Sequence, residues 1–466
     1  MLAQDLIRDD LEIIDLLHNK KYTGTEINNY THYLKHSIYK KLNGDTANKI
    51  IYVDTNEFFI VVCCMKAAWE LGASIFLNDV DPKVRSLPYF KNFYNVIDIV
   101  VGMRITSHWT TPDKHIAIDN YDFQCLVPCE NFTHSLPGIT PDTVAYYTTS
   151  SGTTDDPKIL PFTHYQTVTI SETIHQYLDI NESDLPYHYK TLHHGSLFNS
   201  FALPMLTTCK THYCGLFKLS SGTFLPKILD IAKNYKINYF LLPYNWIRNF
   251  KFTESVDLEN RITFITIQGN TSDEMTDLFD RFSPKQAINY FGCAEVGTMF
   301  ISRTTKDNVH EYNPNRFYDI IPHIDYKILD QTVECKWKHL DQWFVLADKM
   351  VEENGNIWHY GREIAFVVND QKLMLADLNH LIEQELKTSQ FIVVLDHQQQ
   401  KIYLALFQEN LSVQDLQRLN IKIQQTFSPI FYISDVHQFD RSELLFGMKV
   451  NGPLLLYLFR QRKNQE

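Results

Sequence analysis

The chain has 466 residues, 44% of them hydrophobic, with 43 basic against 55 acidic side chains for a formal net charge of −12. Single cores stop growing beyond about 250–300 residues, so this length implies one large domain and a smaller one. So acidic a surface repels nucleic acid and anionic membrane and excludes binding either through a bulk field; a polyphosphate must be held by local backbone amides and a metal ion.

From the amino terminus, Met1 to Leu11 contains Asp5, Arg8, Asp9 and Asp10 but no apolar core, and does not read as a secretory signal. Ile27, Tyr30, Leu34 and Ile38 recur at helical spacing and predict an amphipathic helix over 26–42. A strand over 49–53, a buried helix over 57–71 ended by Gly72, and a strand over 74–77 follow. The most apolar part of that helix, Phe58 to Met65, breaks at Lys66, far short of the ~20 residues a membrane span needs. A cytoplasmic protein is expected, with no membrane and no nucleic-acid partner. Strand–helix–strand at this spacing predicts a parallel sheet with crossover helices.

The alternation recurs: strand 143–148, helices 165–178 and 225–235, strand 237–242 stopped by Pro243, strand 261–267, helix 273–282 and strand 286–290. After Gly361 the texture changes. Leu378, Leu381, Ile382 and Leu386 predict a helix, 391–395 and 401–407 two strands around a polar turn, and 412–426 a second helix. The expected class is α/β: a large domain of mostly parallel sheets flanked by helices over 1–361, and a small mobile α+β domain over 362–466. Eight cysteines lack the tight pairing of a zinc site; Cys63 and Cys64 lie in the apolar run, and Cys125/Cys129 and Cys209/Cys214 are loose pairs. Reduced, buried thiols are expected.

The most informative segment, Tyr146 to His164, reads YYTTSSGTTDDPKILPFTH. Thr148, Thr149, Ser150, Ser151, Thr153 and Thr154 surround Gly152, and Lys158 follows, with a strand running in and a helix running out. Hydroxyls and backbone N–H groups in a tight turn cradle an anion, and glycine lets the backbone approach phosphate. The P-loop pattern is not met, since no second glycine precedes Lys158 and no hydroxyl follows it. A solvated Ser/Thr-rich turn is the bland alternative. The run Ser150 to Lys158 resembles the phosphate loop of the adenylate-forming superfamily, which includes acyl- and aryl-CoA ligases, peptide-synthetase adenylation domains and luciferases. Asp155 stands where that family has its second glycine, and a carboxylate there opposes a triphosphate unless it points away or meets Mg2+.

The resemblance continues collinearly. Tyr22 to Leu42 and Tyr52 to Asp79 are similar to the family's early helix and next strand–helix–strand. Leu192 to Leu197, with His193 and His194, resembles the acyl-pocket loop of acyl- and aryl-CoA ligases, and Phe198 and Phe201 are apolar pocket candidates. Gln268-Gly269-Asn270 ends one strand. Asn289-Tyr290-Phe291-Gly292-Cys293-Ala294-Glu295 follows another and resembles the family's aromatic-Gly-x-Thr-Glu motif. The resemblance implies that Asn289, Tyr290 and Phe291 meet the nucleotide, an aromatic ring offering adenine a stacking face. Gly292, Cys293 and Gly297 would line the acyl pocket, and Glu295 would offer Mg2+ a hard oxygen. Ala294 replaces the family's hydroxyl. Trp343 to Asp348 resembles the ribose-binding Gly-Asp segment, and Tyr360-Gly361-Arg362 the hinge, placing Asp348 on the ribose and Arg362 near ribose or phosphate. Arg441-Ser442 and Gly447-Met448-Lys449 resemble the terminal motif that supplies the catalytic lysine, though the spacing departs from it; Lys463 lies in a polar tail.

By that resemblance the chain uses ATP and Mg2+ to activate a small carboxylic acid as its adenylate. No Asp or Glu lies between Leu185 and Leu229 to hold a substrate ammonium, which disfavours an α-amino acid and leaves an aryl or medium acyl group. The acceptor is a thiol. Residues 363–371 contain no glycine and no cation to meet a CoA 3′-phosphate, so the phosphopantetheine of an acyl carrier protein is preferred over CoA. A CoA ligase, an amide-forming ligase and a non-catalytic nucleotide- or acyl-binding member are the alternatives.

Overall fold

The structure, a computed structural model, describes residues 1–77, 95–102, 114–118, 138–149, 158–188, 192, 198–215, 221–243, 262–267, 272–362, 365–369, 371–387, 391–396, 399–407, 411–439, 445–446, 449–450 and 452–463. It opens with an antiparallel pair, β1 (Glu12–Asp15) and β2 (Lys20–Tyr22), ahead of helix α1 (Gly24–Lys41). Thr23 and Glu26 cap α1 reciprocally: the Glu26 N–H donates to the Thr23 hydroxyl at 3.3 Å, and the Thr23 N–H to the Glu26 carboxylate at 2.8 Å. Ile27, Tyr30, Leu34 and Ile38 are all buried, as their period predicts.

The first α/β layer contains β3 (Ile50–Asp54), α2 (Phe58–Glu70), β4 (Ser74–Phe76), β5 (Ile99–Gly102), β6 (His115–Ala117), β7 (Val144–Thr149) and β8 (Ile159–Thr163). Its strands run in the order β6-β5-β3-β4-β7-β8, parallel except for β8. Helix α2 is buried on every side from Phe58 to Trp69, and the Trp69 indole donates to the Ala145 carbonyl of β7 at 2.8 Å. A helix apolar all round belongs inside, which is where this one lies.

Next come α3 (His164–Leu178), β9 (Pro186–His188), a π turn at Phe198–Ala202, α4 (Leu203–Thr208), β10 (Thr211–Cys214), α5 (Ser221–Tyr235), β11 (Tyr239–Pro243), β12 (Thr263–Ile267), α6 (Ser272–Phe282), β13 (Gln286–Cys293), β14 (Gly297–Thr304), β15 (Arg316–Phe317) and β16 (Asp319–Ile320). Among the described residues these build a nine-stranded sheet ordered β16-β14-β13-β12-β11-β9-β10-β1-β2, parallel from β13 to β1. Then β17 (Ile324–Leu329), β18 (Thr332–Trp337), β19 (Phe344–Glu353) and β20 (Asn356–Arg362) join β15 in an antiparallel sheet ordered β15-β20-β19-β18-β17.

The remainder holds a ribbon of β21 (Ala365–Val368) and β22 (Gln371–Met374), helix α7 (Leu375–Leu386), β23 (Phe391–Asp396), β24 (Lys401–Leu406), α8 (Val413–Thr426), β25 (Ile433–Gln438), a ribbon of β26 (Leu445–Phe446) and β27 (Lys449–Val450), and α9 (Gly452–Lys463). The core packed around Leu378, Ile382, Leu404, Leu419 and Ile423 draws all its buried residues from Phe366 onward. The fold is a large α/β part with parallel sheets followed by a small α+β part. No helix of the described residues is long and apolar enough to cross a membrane.

Several elements differ from expectation. Strand β8 intervenes between β7 and helix α3, which starts at His164. Pro243 closes β11 as its last residue instead of stopping the strand before it, a place where a missing N–H is tolerated. The antiparallel strands β14 to β18 were not expected. The carboxyl-terminal tail is helical: Leu455 and Phe459 are buried, Phe459 stacks on Tyr403 at 4.8 Å, and Arg460 grips Asp396 at 2.7 and 2.9 Å.

Three buried imidazoles set an acid limit on this fold. His164 accepts the Ala3 N–H at its Nδ1 (3.0 Å), His212 lies against His188 (2.9 Å), and His323 stacks on Trp337 (4.9 Å). Burial holds each at about 4, down from the usual 6.5. The unfolded chain therefore binds more protons between these values, so stability is complete above the higher one and lost as pH falls toward the lower. At pH 5 each should cost about 2 kcal/mol. The melting temperature should drop steeply between pH 7 and pH 5; a flat profile would contradict buried neutral imidazoles.

Candidate nucleotide and acyl site

Strands β13 and β14 form a hairpin whose turn, Cys293 to Gly297, carries the aromatic-Gly-x-x-Glu residues. Gly292 faces Thr298 just past a register shift, and a Cβ there would sit 2.2 Å from the Gly297 carbonyl oxygen, so only glycine fits. Gly297 has φ +81, the left-handed region that glycine adopts without strain. The two glycines shape the turn, leaving Cys293, Ala294 and Glu295 half-buried on it.

Alternation along β13 divides its predicted ligands. Asn289 and Phe291 point to one side and Tyr290 to the other. The Phe291 ring lies 5.0 Å from His359 and within about 6 Å of Phe300 and Phe317. It is 6% exposed, so the ring is packed into an aromatic cluster rather than laid open. Asn289 is buried and its amide donates to the Pro314 carbonyl at 3.2 Å, leaving Oδ1 with no hydrogen-bond partner. Tyr290 is buried on the opposite face with its hydroxyl unbonded, and burial raises its pKa. One strand cannot turn Tyr290 and Phe291 toward the same ligand, and only Phe291 reaches the neighbouring sheet.

That neighbouring sheet supplies Asp348. It is 4% exposed on β19, and its Oδ1 lies 2.9 Å from the His359 Nε2 on β20. Phe291, His359 and Asp348 are thus one continuous contact, joining the aromatic motif to the ribose-type carboxylate. Arg362 is the register partner of Asp348, so its backbone lies directly opposite.

A second chain of contacts meets the same turn from the first sheet. The Trp337 indole donates to the Glu295 carbonyl at 3.3 Å and packs edge-on to Phe162 of β8. Phe162 stacks on Tyr146 of β7 at 4.8 Å, whose hydroxyl donates to Asn199. Phe198 is fully buried, edge-on to Tyr146 at 5.0 Å, and Ser200 bonds Thr298 at 2.9 Å. Because Thr149 pairs with Ile159, the strands flanking the hydroxyl-rich loop end together, and Lys158 is exposed beside them. Cys293 packs beside Cys335; that thiol, then burial and the nearby Glu295, push Cys293 up and keep it protonated.

Ser150, Ser151, Gly152, Thr153, Thr154, Gln268, Gly269, Asn270, His193 and His194 lie outside the described residues, as do the side chains of Arg362 and Lys449. Lys449 sits in β27 opposite Phe446, and no described contact joins that ribbon to the Cys293–Gly297 turn. Sequence reading missed His359, Trp337 and Asn199. Only the offset of His359, three residues before Arg362, hinted at the first of these, and contacts between sheets have no sequence period.

No protein-family model matches the sequence, and no curated protein does. Solved structures do. McyG A-PCP complexed with phenylalanyl-adenylate superposes with a TM-score of 0.73 at 12% identity, over 99% of this chain and 95% of its own. ATP-bound MatB from Rhodopseudomonas palustris gives 0.70 at 12%, over 98% and 99%. The anthranilate CoA ligase AuaEII with anthranoyl-AMP gives 0.69 at 13%, over 100% and 97%. From β1 to α9, this chain has the fold of the adenylate-forming superfamily.

Proposed function

We propose that the chain activates a carboxylic acid with ATP and passes the acyl group to a thiol. A carboxylate oxygen attacks the α-phosphorus, the bond to the β,γ-phosphates breaks, and pyrophosphate leaves. The thiol then attacks the acyl carbon and AMP departs. The observation that supports this reading is the convergence of three sheets on the β13–β14 hairpin, where Trp337 links Phe162 to Glu295 and His359 links Phe291 to Asp348. The adenylate- and ATP-bound neighbours favour the same chemistry.

Two anions must meet in the first step, so the protein's work is positioning and charge neutralisation. Glu295, half-buried on a turn whose carbonyl Trp337 holds, is a suitable hard donor for Mg2+, which when bound would neutralise phosphate charge. In this reading Gly152 and its hydroxyl neighbours cradle phosphate, and Lys449 arrives from the small domain, residues 362–466. Phe198, Gly292, Cys293 and Gly297 line the acyl side. No acidic residue lies between Leu185 and Leu229 to counter a substrate ammonium. An aryl or medium acyl acid fits, and a carrier-protein phosphopantetheine is the preferred acceptor.

A non-catalytic binder is the second reading. Asp155, Ala294 and the His359 bond that occupies one Asp348 oxygen favour it. Acid-dependent ATP–pyrophosphate exchange across a panel of carboxylic acids separates the two. Exchange with at least one acid is expected, followed by acylation of a phosphopantetheinylated carrier in preference to CoA; ATP binding with no exchange for any acid would leave the binder.

A further inference from the structure

One polar side chain beside the Cys293–Gly297 turn is only half engaged. Asn199 sits in the π turn Phe198–Ala202, a departure from helix geometry that recurs at functional sites. It is 3% exposed, and its Oδ1 accepts the Tyr146 hydroxyl. Tyr146 is fully buried, burial pushes its pKa well up so that it keeps its proton, and Asn199 is the one described partner of its hydroxyl. A buried phenol has to place that proton on an acceptor. The Asn199 amide is thereby fixed with its oxygen toward Tyr146 and its nitrogen away.

That nitrogen faces the second glycine of the turn. Apart from its chain neighbours, a Cβ built on Gly297 would have just two described atoms within 4 Å, Ile170 Cδ1 at 3.7 Å and Asn199 Nδ2 at 4.0 Å. The bare glycine therefore leaves room between the turn, an isoleucine methyl and an amide that carries two N–H groups. No described hydrogen bond uses either N–H. The hydroxyls nearby do not take them, because Ser200 and Thr298 bond each other at 2.9 Å. Phe198 and Ile170 are buried, so the surroundings are apolar. A donor left dry and unpaired in such a place costs about 1–3 kcal/mol. Apolar walls with a single aimed polar group are how small-molecule pockets choose their ligands.

We propose, resting on the acyl site of the preceding reading, that Asn199 selects the acid: its amide donates to a carbonyl or hydroxyl oxygen carried on the acyl group. The reacting carboxylate is engaged with ATP and its cations, so the amide addresses a further oxygen of the substrate. A hydrocarbon acid of the same shape leaves both N–H groups unpaired and binds more weakly. The preferred substrates are therefore oxo or hydroxy acids, aromatic or aliphatic. The competing arrangement is a water that stays on the amide whichever acid enters, so that no choice is made.

The test compares acids in matched pairs: ring-hydroxylated benzoates with the corresponding methylbenzoates, and oxo fatty acids with their methylene parents. Binding to the purified full-length chain is measured by calorimetry, which needs no turnover, with ATP–pyrophosphate exchange run in parallel. At least one oxygen-bearing acid should bind roughly tenfold or more tightly than its partner. The double variant Tyr146→Phe/Asn199→Leu removes donor and acceptor together and strands neither. It should keep the parent's melting temperature and lose the preference. The proposal is overturned by no detectable binding, by equal binding within every pair, or by a preference that survives in the folded double variant. A preference in binding without exchange for any acid leaves the role of Asn199 standing and removes the adenylation reading; exchange without preference does the reverse.

Discussion

Replacing Lys449 with alanine should lower acid-dependent ATP–pyrophosphate exchange by ~10²–10³-fold while leaving ATP affinity close to the parent's. The expectation follows from charge. A carboxylate approaching the α-phosphate is repelled unless a cation stabilises the charge that shifts in the transition state, and a lysine ammonium is a compact charge suited to it. The nucleotide contacts proposed around Phe291 and Asp348 lie on other strands and are untouched by the substitution. Lys449 sits on a two-residue strand paired only with Leu445–Phe446, so truncating its side chain removes no ladder hydrogen bond. Exchange rates and equilibrium ATP binding check both halves of the claim. Near-normal exchange in the variant would withdraw the role given to this lysine.

Gly292→Ala should be the most damaging single methyl group that can be added to the hairpin. Its Cβ would meet the Gly297 carbonyl oxygen at 2.2 Å, with the Gly297 carbon and the Thr298 Cα at 2.9 Å. All three are backbone atoms of the facing strand, so no side-chain rotation relieves the clash. Forced repacking of this kind costs about 3 kcal/mol. Opening the hairpin also displaces Glu295, and a 1 Å shift in a reacting group costs ~10²-fold in rate. Gly138→Ala is the control: nothing lies within 4 Å of a Cβ there, and both melting temperature and exchange should match the parent. A Gly292→Ala protein that melts and turns over like the parent would mean that the hairpin is not built as described.

Much of the large α/β part was legible because its signals are periodic. Ile27, Tyr30, Leu34 and Ile38 announced α1, and the unbroken apolar run of α2 announced a helix buried on all sides. Strand β8 was hidden because its sequence, ILPFT, offers five residues with a proline and no clean alternation. Strand β14 is buried almost throughout and β17 shows no regular alternation, so neither announces itself by a two-residue repeat. The motif residues were legible as types but not as orientations. Asn289, Tyr290 and Phe291 look like one ligand-facing group in the sequence, yet a strand's two-residue repeat sends Tyr290 to the other face. His359 had no motif to mark it. Its place beside Asp348 is set by the β19–β20 register, which itself shifts between Lys349 and Met350.

The last helix constrains how the chain's end can move. Asp396 is fully buried, and Arg460 closes on it with a two-pronged bond while Leu455 and Phe459 fill the space against Tyr403. Removing such a guanidinium strands a charge in a dry interior, at about 3–5 kcal/mol. Helix α9 is therefore bolted to the β23–β25 sheet, and the ribbon bearing Lys449 joins it one residue upstream. Leu455, Phe459 and Arg460 therefore travel with the β23–β25 sheet, so that any turn of that sheet carries the last helix round with it as one body.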